Sequence, residues 1–205
     1  MYEHANARWE ADNEQLRQFL HLARTFRGAT SADAPLALQL RRGERAFYVI
    51  PNAALVEPRR APGQWVSRSS GWSFRVARGV YYRVGASRGS YAPGPELQTV
   101  IDYGTATITN QRVTFQGRRQ AREWQFTKLL GYVDDPAWPV TILQVSNRQK
   151  ASGIMYAGEH TPWFRFSLAL ALACHRREDG AFVAHLEAEF VGHQAARPAP
   201  PLPPG

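Results

Sequence analysis

Gly104-Thr105-Ala106-Thr107-Ile108-Thr109-Asn110-Gln111-Arg112-Val113-Thr114-Phe115-Gln116-Gly117 is the stretch that decides the fold. Threonine and β-branched residues fill both halves, and such side chains stiffen a pleated chain. Asn110-Gln111 separates the halves as a turn. The pattern predicts a β-hairpin with Ile108, Val113 and Phe115 turned toward a core. Gly117-Arg118-Arg119-Gln120 makes a second turn, and Ala121 to Phe126 a third strand with Trp124 and Phe126 on one face. A looser stretch follows. Val140 to Val145 reads as a fourth strand, with Ser152 to Tyr156 as its hairpin partner. Strands this short and this dense predict an antiparallel sheet closed or folded on itself.

Upstream, Ala46 to Ile50 and Ala53 to Val56 are two short strand-like runs around Pro51-Asn52. Ser73 to Val84 reads as strand, interruption at Gly79, strand. Loops rich in Gly, Ser, Pro and Arg surround it. Nearer the start, Trp9, Leu16, Phe19, Leu20, Ala23 and Phe26 recur at spacings of three and four, which predicts a helix from about Ala5 to Arg27, stopped at Gly28. Its apolar face would pack on the domain or on a second copy of the chain. Downstream, Thr161-Pro162 reads as an N-cap and first helical residue. The helix would run to about Arg176, although Phe164, Phe166, Leu168, Leu170 and Leu172 alternate with a strand period. Ala181 to Val191 alternates too and is left open between strand and helix. The tail 195–205 is proline-rich and is expected to be disordered and dispensable for folding.

The hairpin Gly104 to Gly117 resembles that of GRAM and bacterial pleckstrin-homology-like (PH-like) domains. Glu123 to Leu130 and Val140 to Lys150, with Val145-Ser146-Asn147-Arg148-Gln149-Lys150 at its end, match strands that follow the hairpin in that family. The helix from Pro162 matches the family's C-terminal helix. The resemblance spans about Ala46 to Arg177. It implies a mainly β fold with α: a partly open antiparallel β-barrel or sandwich capped by a C-terminal helix, with the N-terminal helix added. The organisation is then a helix over 1–28, a PH-like domain over 36–192 with a loop-rich insertion around 56–94, and the tail.

The chain has 205 residues, a net charge of +8 and a pI near 10.1. Of its 25 basic residues only Lys128 and Lys150 are lysine, which together with the abundant Ala and Pro suggests a GC-rich bacterial genome. The charge favours acidic partners. Cys174 is the one cysteine, so no disulfide forms within the chain, and a reducing cytoplasm is expected. No apolar run approaches the ~20 residues of a membrane span, and Met1 to Asn6 lacks the features of a signal peptide. Any meeting with a membrane would be peripheral, at the inner face. His4, His21, His160, His175, His185 and His193 are scattered without metal-ligand spacing. No phosphate-cradling Gly loop and no paired catalytic carboxylates stand out; Asp134-Asp135 precedes Pro136 and reads as a turn. No enzyme, metal or cofactor is expected.

Arginine clusters carry the functional expectation. Arg118, Arg119 and Arg122 mark a hairpin tip with Lys128 near by; Arg75, Arg78 and Arg83 form a second group interleaved with Tyr81 and Tyr82. Arginine grips phosphate bidentately. The resemblance implies basic residues at an open barrel end that hold an anionic headgroup. The expected function is a non-enzymatic adaptor-like module that recognises a protein partner or an anionic membrane surface. Nucleic-acid binding by the arginine-aromatic surface is the alternative.

Overall fold

Strand β1 (Ala46–Arg60) is shared by both halves of the sheet. The computed structural model describes residues 2–25, 38–60, 73–77, 80–83, 96–148 and 150–199; for 73–77 and 80–83 it describes the backbone. One edge of β1 pairs antiparallel with β4 (Glu96–Thr109), from Ala46↔Thr109 to Arg60↔Glu96. The other edge pairs with β9 (Ser152–Met155), over Ala54 to Val56 only. Pro51 is tolerated because its part of β1 carries no ladder on that second edge. Asn52 adopts a left-handed φ of 57° and the register with β4 slips between Ile50 and Ala53. Bulges of this kind bend a strand and sharpen its twist. The two short runs expected around Pro51-Asn52 are thus one bent strand.

From β4 the chain folds back as β5 (Arg112–Gly117) and β6 (Ala121–Gln125). A 3₁₀ turn at Phe126–Lys128 leads to β7 (Leu129–Asp134), β8 (Val140–Val145) and β9. The result is one open, seven-stranded antiparallel sheet in the order β6-β5-β4-β1-β9-β8-β7. A separate hairpin of β2 (Ser73–Ala77) and β3 (Val80–Arg83) lies in the connection between β1 and β4, where strand, interruption and strand were expected. β7 falls in the stretch that reads as loose, and β4 begins eight residues before Gly104.

The core matches the hairpin's pattern. Ile108, Val113, Phe115, Trp124 and Phe126 are all buried in one cluster with Ile50, Leu55, Leu143 and Ile154. Helix α2 (Thr161–Arg176) covers this cluster. Its apolar alternation has a structural cause. Phe164, Leu168, Ala171 and Leu172 face the sheet, while Phe166 and Leu170 face α1 (Tyr2–Thr25) and α3 (Asp179–Ala195) in a second cluster. A helix buried on two sides loses the single apolar stripe of a surface helix. Thr161 is already helical, and its Pro162 sits in the first turn without a side-chain cap. Residues 181–191 resolve as helix, because Phe182, Val183, Leu186 and Phe190 fall on one helical face while Ala184 and Ala188 are exposed.

Trp9 stacks on His193 and Arg24 pairs with Glu187, so α1 and α3 run antiparallel. The apolar face of α1 is used within the chain: Phe19 stacks on Phe166 at 4.1 Å. Gly28, the expected stop, lies outside the described residues. A buried network clips residues 39–44 to the hairpin: Arg112 donates to Glu44 from Nε (2.7 Å) and Nη2 (2.9 Å), and to Glu123 from Nη1 (2.7 Å). Burial alone would raise the Glu44 carboxyl, but the bonds from Arg112, the Arg41 backbone and Thr109 hold it below its ordinary range.

The tail is anchored farther along than its composition indicates: α3 continues to Ala195, and the Arg197 guanidinium lies over the Trp9 ring at 5.1 Å. Residues 200–205 lie outside the described residues. Ending the chain after Pro198 should leave the melting temperature unchanged. Ending it after Gln194 should lower it by roughly 2–4 °C, the effect of one cation–π contact of about 1 kcal/mol. Phe115→Ala, which opens a cavity at the centre of the sheet, should cost ~3–5 kcal/mol by denaturant titration, with an unchanged m-value.

Candidate anion-binding cleft

Three separated stretches meet where β6 approaches the β8–β9 connection. Trp124 of β6 is fully buried, and its Nε1 donates to Ser152 Oγ of β9 at 3.1 Å. Arg148, in the loop after β8, lays its guanidinium over the Trp124 ring at 5.9 Å and donates from Nη2 to the Glu123 carbonyl at 3.2 Å. Glu57, near the end of β1, accepts from Arg122 Nε at 2.7 Å. Glu57, Arg122, Arg148, Lys150 and Ser152 line an open cleft of about 250 Å³.

The electrostatics of the cleft are uneven. Among the described residues the lining holds the cations Arg122, Arg148 and Lys150 and the carboxylate of Glu57, which Arg122 engages. Arg148 Nη1 is buried and has no hydrogen-bond partner. Burial, and then the positive charge of Arg122, push the Arg148 guanidinium below its ordinary range. A buried donor without an acceptor costs about 1–3 kcal/mol, more when charged. An anion held against the same guanidinium would offset part of the cost of its burial. Ser152 Oγ accepts a hydrogen bond from the indole N–H and keeps its own hydrogen for donation.

The structure separates the residues that sequence grouped. Arg118 and Arg119 are exposed on the turn between β5 and β6, as expected. Arg122 is not at the tip: it lies in β6, about a quarter exposed, and its side chain is turned to Glu57, because the antiparallel pleat sends it across the sheet rather than outward. It touches the turn through Nη1, which donates to Gln120 Oε1 at 3.0 Å. Lys128 is exposed but sits beyond the other end of β6 from the tip. Arg75 and Arg83 fall in the β2–β3 hairpin, while Arg78 lies outside the described residues. Arg148, Lys150, Glu57 and Ser152 escaped sequence reasoning as site residues. The signal available was Asn147-Arg148-Gln149-Lys150, two cations in a polar turn between strands.

No known family, curated protein or solved structure matches this chain. Among the described residues no three His, Cys, Asp or Glu side chains group as a metal site. Cys174 is held up by burial and by Asp179, which suits a thiol over a thiolate nucleophile. Asp134 accepts from Thr141 Oγ1 and Asp135 accepts from the amides of Ala137 and Trp138, so both carboxylates are committed locally.

Asp102 of β4 fixes the arginine turn. Its Oδ2 accepts from the amides of Arg119 (2.8 Å) and Gln120 (2.7 Å). Gly117 permits this, since a Cβ there would stand 2.3 Å from the same oxygen. The Arg119 amide, with those of Gln120 and Tyr103, holds the Asp102 carboxyl below its ordinary 3.8. A depressed carboxylate orders its partners above that ordinary value and releases them as pH falls through the lower, folded one. The amide resonances of Arg119 and Gln120 should therefore titrate together below pH 3.8 in the native protein. In Asp102→Ala they should shift at neutral pH and cease to titrate.

Proposed function

We propose that this protein is a non-enzymatic PH-like binding module that docks an anionic, phosphate-bearing surface at the cleft between β6 and the β8–β9 loop. The observation that carries the proposal is the convergence of Arg122, Arg148 and Lys150 from separate stretches of the chain on one cleft. The strand order supports the PH-like part. With the β2–β3 hairpin set aside as an insertion, one long strand is flanked by two three-stranded meanders and followed by a helix. That is compatible with a partly open barrel whose second end is filled by α2. The cleft then corresponds to an open barrel end, where the resemblance implies anion recognition.

Arg118 and Arg119, exposed on the turn that precedes β6, give long-range attraction, while Arg148 gives short-range capture. Among the described residues no helix is long and apolar enough to cross a membrane. The docking proposed is peripheral, at the inner face of a membrane. A second reading is favoured by Tyr103, which is 64% exposed on β4 next to the Asp102-held arginine turn: an arginine-aromatic surface that stacks single-stranded nucleic acid.

Sedimentation with anionic vesicles tests the proposal. Near such a surface each basic residue contributes about 1 kcal/mol, so Arg118→Ser/Arg119→Ser/Arg148→Met should bind roughly 100-fold more weakly. Wild-type binding should fall steeply with salt. Absence of vesicle binding by the wild type overturns the proposal. A shift with single-stranded oligonucleotide in its place selects the second reading, and neither result points to a protein partner.

A further inference from the structure

Among the described residues the open sheet ends in two edge strands, β6 and β7. An edge presents unpaired backbone groups to any chain that can add a strand, and proteins blunt such edges with charge or cover. β6 is blunted in both ways: it carries Arg122 and Glu123, and the Glu123 carbonyl accepts from Arg148. β7 is built differently. Leu130-Gly131-Tyr132-Val133 contains no charge and no proline. Leu130 is 65% exposed and Val133 40%, and Trp138, in the connection to β8, is 65% exposed. The β2–β3 hairpin comes near β7 but does not join its ladder.

The backbone of β7 is aligned to take a further strand. The Asp135 amide donates to the Val140 carbonyl at 3.0 Å, and the register with β8 runs without a break from Gly131↔Gln144 to Asp134↔Thr141. Residues of an antiparallel strand alternate between bonding one neighbour and facing the other side. Gly131 and Val133 therefore face β8 as Asp135 does, and Tyr132 and Asp134 turn their amides and carbonyls to the open edge.

The charges at the ends of the strand choose the occupant. Lys128 is exposed just before β7, and Asp134 closes it. Asp134 stands 3.5 Å from Arg165 Nε yet keeps about a quarter of its side chain exposed. A second β7 laid antiparallel brings the Lys128 of each copy to the Asp134 of the other, because one two-fold axis sets both pairs. Centred on Gly131, the same register sets Tyr132 opposite Leu130 and Val133 opposite Leu129. Nothing stands within 4 Å of the place where a Cβ would project from Gly131, so the axis falls on open space.

We propose that β7 is a self-association edge: two copies of this chain pair their β7 strands antiparallel about a two-fold axis at Gly131 and join their sheets into one. The interface is small, so the dimer is weak and forms only as concentration rises.

Sedimentation equilibrium over a concentration series reaching the millimolar range, with amide exchange of β7 followed in parallel, tests it. Wild type should pass from monomer to dimer, and the Tyr132 and Asp134 amides should gain protection over the same range. Leu130→Lys/Val133→Lys, which charges two exposed positions of the edge, should weaken the dimer about tenfold or more. Val191→Lys, at a position on α3 that is 67% exposed, should leave it unchanged. Lys128→Met and Asp134→Asn should each weaken it roughly three- to tenfold, the effect of two exposed ion pairs, and the double variant should lose no more than either alone. Protection of β7 that is the same at every concentration names the β2–β3 hairpin as the occupant and overturns the proposal. A wild type that stays monomeric throughout, or a dimer that survives the two lysines, overturns it as well. Losses that add in the double variant overturn the antiparallel register.

Discussion

The contact on which both fold and site depend is the buried indole of Trp124. Among the described residues the two meanders join through backbone ladders only at β1. Trp124, from the far strand of one meander, donates to Ser152 at the start of β9 in the other and packs in the shared core. An indole N–H cannot be buried without an acceptor except at a cost of about 1–3 kcal/mol, so its bond to Ser152 fixes how far the sheet curls. The same ring then carries Arg148 on its face. Burial of Trp124, curl of the sheet and position of the guanidinium are one constraint seen at three scales.

β1 makes this curl possible. A flat strand could not serve β4 along its whole length and β9 over Ala54 to Val56 while the two meanders approach each other. The bulge at Pro51-Asn52 redirects the strand, and β1 then carries Glu57 past the point where β9 pairs. The carboxylate arrives opposite Arg122 of β6. On the neighbouring strand Asp102 ties down the arginine turn through two backbone amides. Glu57 fixes the Arg122 side chain, and Asp102 fixes the backbone of the turn that carries Arg118 and Arg119.

The helices form a second layer with its own logic. α2 is the shared wall, buried on the sheet by Phe164 and Leu168 and on its other side by Phe166 and Leu170. α1 and α3 depend on that outer side, and Trp9, His193 and Arg197 close their far end. With much of α2 buried, the basic surface is left to the strands and their loops.

Much of the strand pattern was legible in the residues themselves. The threonine-rich hairpin from Gly104 to Gly117, the inward set of Ile108, Val113, Phe115, Trp124 and Phe126, and the position of α2 follow from local stiffness and two-residue alternation, which are properties of a chain segment. β7 was hidden because an edge strand with Leu130, Tyr132 and Val133 exposed lacks a buried face to impose alternation. Residues 181–191 were ambiguous because alternating apolar residues fit a strand as well as a crowded helix, and only the partners α1 and α2 decide between them. The arginine tip could be read as a turn, but the fate of Arg122 could not. Whether its charge meets water or Glu57 depends on a residue 65 positions away. The cleft belongs to the tertiary structure for the same reason. Its charges come from β1, β6 and the β8–β9 loop, and no local rule of spacing links side chains that only the curl of a sheet brings together.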